Sequence, residues 1–291
     1  MLYITSFLTA YFTVIAFVLG AVLASFLGCL GWRMCNGESV LKGRSHCDSC
    51  GHVLGARDLI PIFSYLISKG RCRYCGVQIS PVNLYGELIL GILFAVVTFL
   101  YGHPFQYEYI LVLFFFCIMY LVTVTDMYEQ IIPDSAIVVA IVVKLVHLVI
   151  GYYFDLNYTL DHPIVYIEKT ALWSELFAVV IDGLAVSVPL LILVLIMEKI
   201  LGKEAMGGGD IKLIFVTGMY LGWARNILVI FFACIIGIFI ASLQQKSMQQ
   251  GEEMESEEET FYFPFGPSIA LSAVLVLFIG NPIIDWYLSL F

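Results

Sequence analysis

Eight stretches of this chain are apolar over something close to the length that carries a helix through a bilayer, about 20 residues. They run near residues 3–30, 84–100, 109–125, 135–153, 175–197, 211–223, 227–243 and 268–290. Few soluble folds could hide so much apolar surface. Only 13% of the 291 residues are charged and 61% are hydrophobic, against about 25% charged in an ordinary soluble domain. The expectation is an all-α integral membrane protein with about eight transmembrane helices. The sixth run is the weakest, being short and followed by Ala-Arg-Asn, so it and the seventh could instead make one re-entrant hairpin. The first run has no basic n-region and no clear small-residue cleavage site, and reads as a retained span.

The lysines and arginines orient these spans, because cytoplasmic loops carry the excess of positive charge. Arg33, Lys42, Arg44, Arg57, Lys69, Arg71 and Arg73 lie between the first two runs. That loop is therefore expected to be cytoplasmic. Threading eight spans from it puts Lys199, Lys203, Lys212 and Lys246 on the same side, leaves Lys169 and Arg225 outside, and buries Lys144 within a span. Both termini then face outward. The net charge of −9 is largely local, since residues 252–259 hold six glutamates. Such a run reads first as a solvated loop, within an acidic cytoplasmic segment at 244–262, and second as a weak attractant for a basic peptide. No repeat of fixed period is present, and no nucleic-acid partner is expected.

The first loop holds the clearest soluble module. Cys47 and Cys50 in "CDSC" and Cys72 and Cys75 in "CRYC" form two CxxC knuckles, each followed directly by glycine. Four thiolates at this spacing can close a tetrahedron around one Zn²⁺, with no position left for water or substrate. The other reading is a pair of disulfides, which rarely persist on a cytoplasmic face. A structural metal would also give so small a loop the staple it needs to fold. His46 and His52 flank the first knuckle as substitute ligands or as surface neighbours. Cys29, Cys35, Cys117 and Cys234 are isolated and read as small hydrophobes.

Each ionisable group in or at the membrane needs an account, because burying one is costly. Asp126 ends the third run in "VTDMYEQIIPD", and Asp210 opens the sixth in "MGGGDIKL". Two crossings lie between them, which returns both carboxylates to one interface. Two acids sharing a small dry site cannot both ionise easily, and that is the condition for one to act as general base and the other as acid. Gly207, Gly208 and Gly209 remove side-chain bulk and permit backbone angles barred to other residues, so an extended peptide could approach Asp210. The competing reading makes Asp210 an N-cap. Asp134, after Pro133, looks like such a cap. Lys144 and Asp182 read as a charge pair, Glu87 as a helix cap or a substrate contact, and Lys212 as a further substrate contact.

These segments together resemble the bacterial type IV prepilin peptidases, a family of GxGD aspartic membrane proteases. "ASFLGCLGWR" is similar to the family's start, and "RSHCDSCGHVLGARDLIPIFSYLISKGRCRYCGVQIS" to its zinc loop. "DMYEQIIPD" and "GKEAMGGGDIKLIFVTGMYLGW" match its two aspartate motifs, and "PFGPSIAL" its last span. The likeness covers nearly the whole chain. It departs at "PVNLYGE", where the family has Tyr-Pro-Leu-hydrophobic-Glu, and at Ala56, where tryptophan is common.

The resemblance implies that Asp126 and Asp210 are the catalytic pair and that Cys47, Cys50, Cys72 and Cys75 hold structural zinc. It implies an endopeptidase of the bacterial inner membrane that removes the short basic leader of type IV prepilins or pseudopilins at the cytoplasmic face. In many members, S-adenosylmethionine then methylates the new N-terminus. The expected domains are a first helix at 1–30, a zinc loop at 31–83 and a membrane peptidase core at 84–291. Two alternatives are a GxGD protease with another substrate, which gives the Cys₄ loop no role, and a non-enzymatic scaffold or transporter. A transporter would place its charges near the bilayer midplane, whereas these two acids sit at one interface.

Overall fold

A computed structural model describes residues 2–39, 43–101, 107–154, 172–202, 206–249 and 264–290. Among the described residues there are nine α-helices: α1 (Leu2–Cys35), α2 (Phe63–Ile67), α3 (Val82–Tyr101), α4 (Tyr107–Glu129), α5 (Asp134–Phe154), α6 (Leu172–Leu201), α7 (Gly208–Leu221), α8 (Trp223–Gln249) and α9 (Gly266–Leu288). Strands are absent from the described residues, where β pairing is confined to two isolated bridges, His46–Val53 and Arg71–Gln78. Helix is what a lipid-embedded backbone must adopt, because each N–H and C=O then finds its partner within one segment. The acidic run at 252–259 lies outside the described residues.

Seven helices are long and apolar enough to cross a bilayer by length and composition: α1, α3, α4, α5, α6, α8 and α9. Of the roughly eight runs expected, the sixth, already the weakest in the sequence, is the one that stays below spanning length. There α7 has 14 residues, about 21 Å of helix, short of a hydrocarbon core about 30 Å thick. Gly222 ends it at φ 85, and α8 begins at the next residue. The two fold back on one another, so that the Asn226 amide donates to the Ile214 carbonyl at 2.9 Å and the Thr217 hydroxyl donates to Asn226 Oδ1 at 2.8 Å.

The chain divides into two compact units, Met1–Tyr128 and Glu129–Phe291. In the first, α1 and α3 pack along their lengths. Ala16, Gly20, Ala24 and Gly28 recur at every fourth position of α1, which lines them up on one face. A Cβ on Gly20 would lie 2.7 Å from the Leu90 carbonyl oxygen and 2.9 Å from the Gly91 Cα, and Gly28 lies beside Asn83. The pairing is antiparallel. Small residues let the two backbones approach closely, which matters in lipid, where burying apolar surface gives no drive. Helix α4 completes this unit: Tyr120 occupies the space over Gly86 of α3, Val124 packs on Gly31 of α1, and Tyr109 hydrogen-bonds Thr98.

In the second unit α7 is the central helix, packed by α5, α6, α8 and α9. Leu213, Ile214, Val216, Thr217, Met219 and Leu221 are all buried. Its crossing with α6 again rests on glycine. A Cβ on Gly218 would meet the Asp182 carbonyl oxygen at 2.8 Å, and one on Gly183 would meet the Phe215 ring at 2.8 Å. On the α5 side the Tyr220 hydroxyl donates to the Ala140 carbonyl at 2.8 Å.

Candidate active site

The four knuckle cysteines converge. Sγ atoms of Cys47, Cys50, Cys72 and Cys75 all lie within 4.8 Å of one another, and Cys47 and Cys75 approach to 3.9 Å. Zn–S bonds of about 2.3 Å in a tetrahedron require sulfurs about 3.8 Å apart, so the donor set fits such an ion. None of the eight cysteines is in a disulfide.

The two knuckles repeat one design. The amide of Cys47 donates to His52 and that of Gly51 back to Cys47; likewise Cys72 donates to Val77 and Gly76 to Cys72. Gly51 and Gly76 close these turns at φ 68 and φ 76, the left-handed region that glycine enters without steric cost. Backbone N–H groups of Cys75 and Tyr74 point at the Cys72 sulfur and bring its thiol down to about 7, favouring the thiolate that binds metal.

His46 and His52 are neighbours of this cluster and not members of it. His46 sets its ring edge against Trp32, and His52 stacks on Tyr74 with centroids 3.6 Å apart. Asp58 holds the strip between the knuckles. It accepts the Gly55 N–H at 3.1 Å and the Tyr74 hydroxyl at 3.0 Å, and pairs with Arg73 at 3.2 Å. The Gly55 N–H foremost, then Tyr74 and Arg73, keep its carboxyl below the usual range. Sequence reading missed Asp58, since its partners lie up to 16 residues away.

Glu87 is buried in the second turn of α3 and its Oε2 accepts the backbone N–H of Ile62 at 2.6 Å. It therefore ties the cysteine loop to a membrane helix and does not cap α3, whose first turn opens on the Pro81 carbonyl.

Asp126 lies in the last turn of α4 and is 4% exposed. Its preceding residue is fixed twice. The Thr125 hydroxyl bonds back to the carbonyls of Leu121 and Val122, and the Cys35 thiol of α1 reaches the Thr125 carbonyl at 3.8 Å.

Asp210 belongs to the other unit. It is the third residue of α7 and 9% exposed, with Gly207 at the N-cap position. The N-cap reading of Asp210 is thus corrected. So is the backbone reading of the three glycines, none of which has a positive φ. Gly207 is extended at φ −62, ψ 134, and Gly208 and Gly209 are helical. Space is what they provide: a Cβ on Gly209 would press on Ile132 at 3.0 Å, one on Gly207 would sit 3.3 Å from Asp210 Oδ2, and Gly208 faces open space.

The remaining ionisable groups sort by location. Lys212 Nζ bonds Asp134 Oδ1 at 2.6 Å on an exposed face, and α5 starts on the Pro133 carbonyl, so Asp134 sits in its first turn. Lys144 is fully buried with its ammonium 5.5 Å from the centre of the Tyr220 ring. Asp182 accepts the Trp223 N–H at 3.4 Å and lies within electrostatic reach of both Lys144 and Arg225.

Two family models match the chain in tandem. Residues 18–101 match the bacterial peptidase A24 N-terminal domain, and residues 113–242 match the type IV leader peptidase family. The first interval contains all four knuckle cysteines and the second contains Asp126 and Asp210. The chain belongs to the type IV leader peptidase family. Curated relatives carry the name prepilin leader peptidase/N-methyltransferase. That of Bacillus subtilis (strain 168) is 28% identical over 276 residues, covering 95% of this chain and 98% of the relative. That of Burkholderia pseudomallei (strain 1026b) is 30% identical over 240 residues, covering 82% and 68%. That of Neisseria gonorrhoeae is 25% identical and covers 98% and 97%. No solved structure matches the chain.

Proposed function

We propose that this protein is a membrane aspartic endopeptidase that cuts the leader from type IV prepilins or pseudopilins at the cytoplasmic face of the bacterial inner membrane. Asp126 and Asp210 are its catalytic pair. The observation that carries this reading is that both lie in the interval matched by the leader peptidase family, each buried at a helix end. One carboxylate takes a proton from water, which attacks the scissile carbonyl. The other, protonated, polarises that carbonyl and then gives its proton to the departing amine. Open space at Gly208, next to the Asp210 turn, suits an extended peptide. Gly207, Gly209 and Lys212 border that same turn as substrate contacts.

The orientation rests on Arg33, in the last turn of α1, and on Lys42, Arg44, Arg57, Lys69, Arg71 and Arg73, all of which lie between the first two spanning helices. Zn²⁺ is the metal that suits a Cys₄ set, and it supplies structural cross-linking only, because four thiolates leave no open position. We infer that Cys47, Cys50, Cys72 and Cys75 hold it. A second activity, methyl transfer from S-adenosylmethionine to the new N-terminal amine, is supported by the second half of the relatives' name.

Leader cleavage tests the reading. Membranes containing wild type, Asp126→Asn or Asp210→Asn are incubated with a prepilin from the same genome, and the product N-terminus is read by mass spectrometry. Each variant should lose about 10²–10⁴-fold in rate, the range of general acid–base assistance, at unchanged abundance. Cleavage surviving in both would return these acids to structural roles. An added methyl mass in the wild-type product tests the second activity.

A further inference from the structure

Helix α2 carries apolar side chains that nothing among the described residues covers. Phe63 is 64% exposed, Leu66 58% and Ile67 70%, with Leu59 and Ile60 exposed just before them. Spacing of three and four residues sets Phe63, Leu66 and Ile67 on one face of the turn. Soluble surfaces rarely gather so many large apolar groups in so short a segment.

The depth of this segment can be read from α3. That helix has 20 residues, about 30 Å, which is the whole hydrocarbon thickness, so none of its length is spare. Glu87 stands five residues in from Val82, about 8 Å below the end of the helix. The Ile62 N–H that it accepts lies within a side chain's reach of that point, displaced toward the helix N-terminus because helical side chains lean that way. Ile62 is held there in a tight γ-turn, at φ 64 and ψ −55, with the Phe63 N–H donating to the Pro61 carbonyl at 2.6 Å. This conformation is rare for any residue and strained for a β-branched one. It turns the chain so that α2 begins next to the membrane helix and not out in the loop. Exposed Lys69 and Arg71 follow directly after α2.

We propose that residues 59–67 form an in-plane membrane anchor. Phe63, Leu66 and Ile67 enter the boundary between headgroups and acyl chains, and Lys69 and Arg71 meet anionic phosphates. In-plane segments of this kind typically sit about 5–10 Å into that boundary, which agrees with the depth set by Glu87. Lipid is the occupant favoured over a second copy of the chain because Glu87 of the spanning helix α3 holds the segment at Ile62, one residue before α2, beside the membrane end of that helix.

Photo-crosslinking in a bilayer tests this. The full chain carrying p-benzoyl-phenylalanine in place of Phe63, Ile67 or, as a control in the same module, exposed Ser49 is reconstituted in nanodiscs of phosphatidylethanolamine and phosphatidylglycerol. After irradiation, intact mass should show phospholipid adducts several-fold more abundant at 63 and 67 than at 49. Equal labelling at 49, or crosslinks at 63 and 67 to a second chain in place of lipid, would overturn the anchor. In the same experiment Lys69→Glu with Arg71→Glu should lower the phosphatidylglycerol share of the adducts. An unchanged share would remove the basic residues from the proposal.

Discussion

Gly51 and Gly218 are both glycines that the fold depends on, and they are needed for unrelated reasons. Gly51, in the first cysteine knuckle, has a φ of +68 and no neighbour within 4 Å of where a Cβ would stand. Gly218, in α7, is helical, yet its Cβ would lie 2.8 Å from the Asp182 carbonyl oxygen. The knuckle needs a backbone angle, and the helix crossing needs room. The cysteine module is a loop with little buried core, ordered by turns, the convergence of its four sulfurs and side-chain hydrogen bonds. The surroundings of α7 are ordered by the close approach of regular helices.

Different perturbations should therefore separate these two regions. The largest effect is expected from Cys72→Ser or metal chelation. Structural zinc contributes about 10–16 kcal/mol in small finger peptides, so losing a ligand should leave the loop prone to cleavage between residues 43 and 81. The helices of the second unit should keep their protection. Limited proteolysis with mass mapping reads both at once, and equal sensitivity in the two regions would refute the separation.

Next comes Gly218→Leu, which forces α7 from α6. Overpacking of this kind costs about 1–3 kcal/mol or more. It should lower the unfolding temperature in detergent and abolish leader cleavage while bound zinc, measured by emission spectroscopy, stays constant. A fall in zinc would mean that the regions fold as one.

Gly51 then sharpens the contrast through its conformation. Gly51→Val should cost about 1–2 kcal/mol for a left-handed position, and Gly51→Asn much less, because asparagine tolerates that region. At Gly218 asparagine should be no milder than alanine. Zinc affinity of the Gly51 variants and thermal stability of the Gly218 variants supply the comparison.

The smallest effect concerns Asp58, whose carboxyl is held below its usual range chiefly by the Gly55 N–H. A depressed native pKa means that its stabilisation is complete above the unfolded carboxyl value, about 3.9, and fades as pH falls through the lower native value. Amide exchange at Gly55 should therefore differ between wild type and Asp58→Asn at neutral pH and converge in acid. A gap that stays constant with pH would rule out the carboxylate's charge as the cause.

Much of this architecture is legible in the sequence because a membrane span and a metal-ligand spacing both follow simple rules. Seven apolar runs become helices of spanning length, and CxxC spacing brings four sulfurs together. The sixth run was legible as too short, and Gly222, whose positive φ ends α7, is the break between it and the seventh. The glycines before Asp210 mislead: they suggest backbone freedom, and the fold uses only their lack of bulk. The stripe Ala16, Gly20, Ala24 and Gly28 was open to a reader looking for small residues at every fourth position. The pairing of Gly183 with Gly218, or of Asp58 with Tyr74, was not. Those contacts arise only once distant segments have been placed.

The close seam between α1 and α3 has a consequence for the chain between them. Viewed as a polymer, residues 36–81 form a loop whose ends are pinned where α1 stops and α3 starts. The cost of closing a loop grows only slowly with its length, so the seam would hold whether that stretch were long or short. Length in this loop is then nearly free, and the residues within it can serve the proposed metal site and membrane contact without loosening the helices that anchor it.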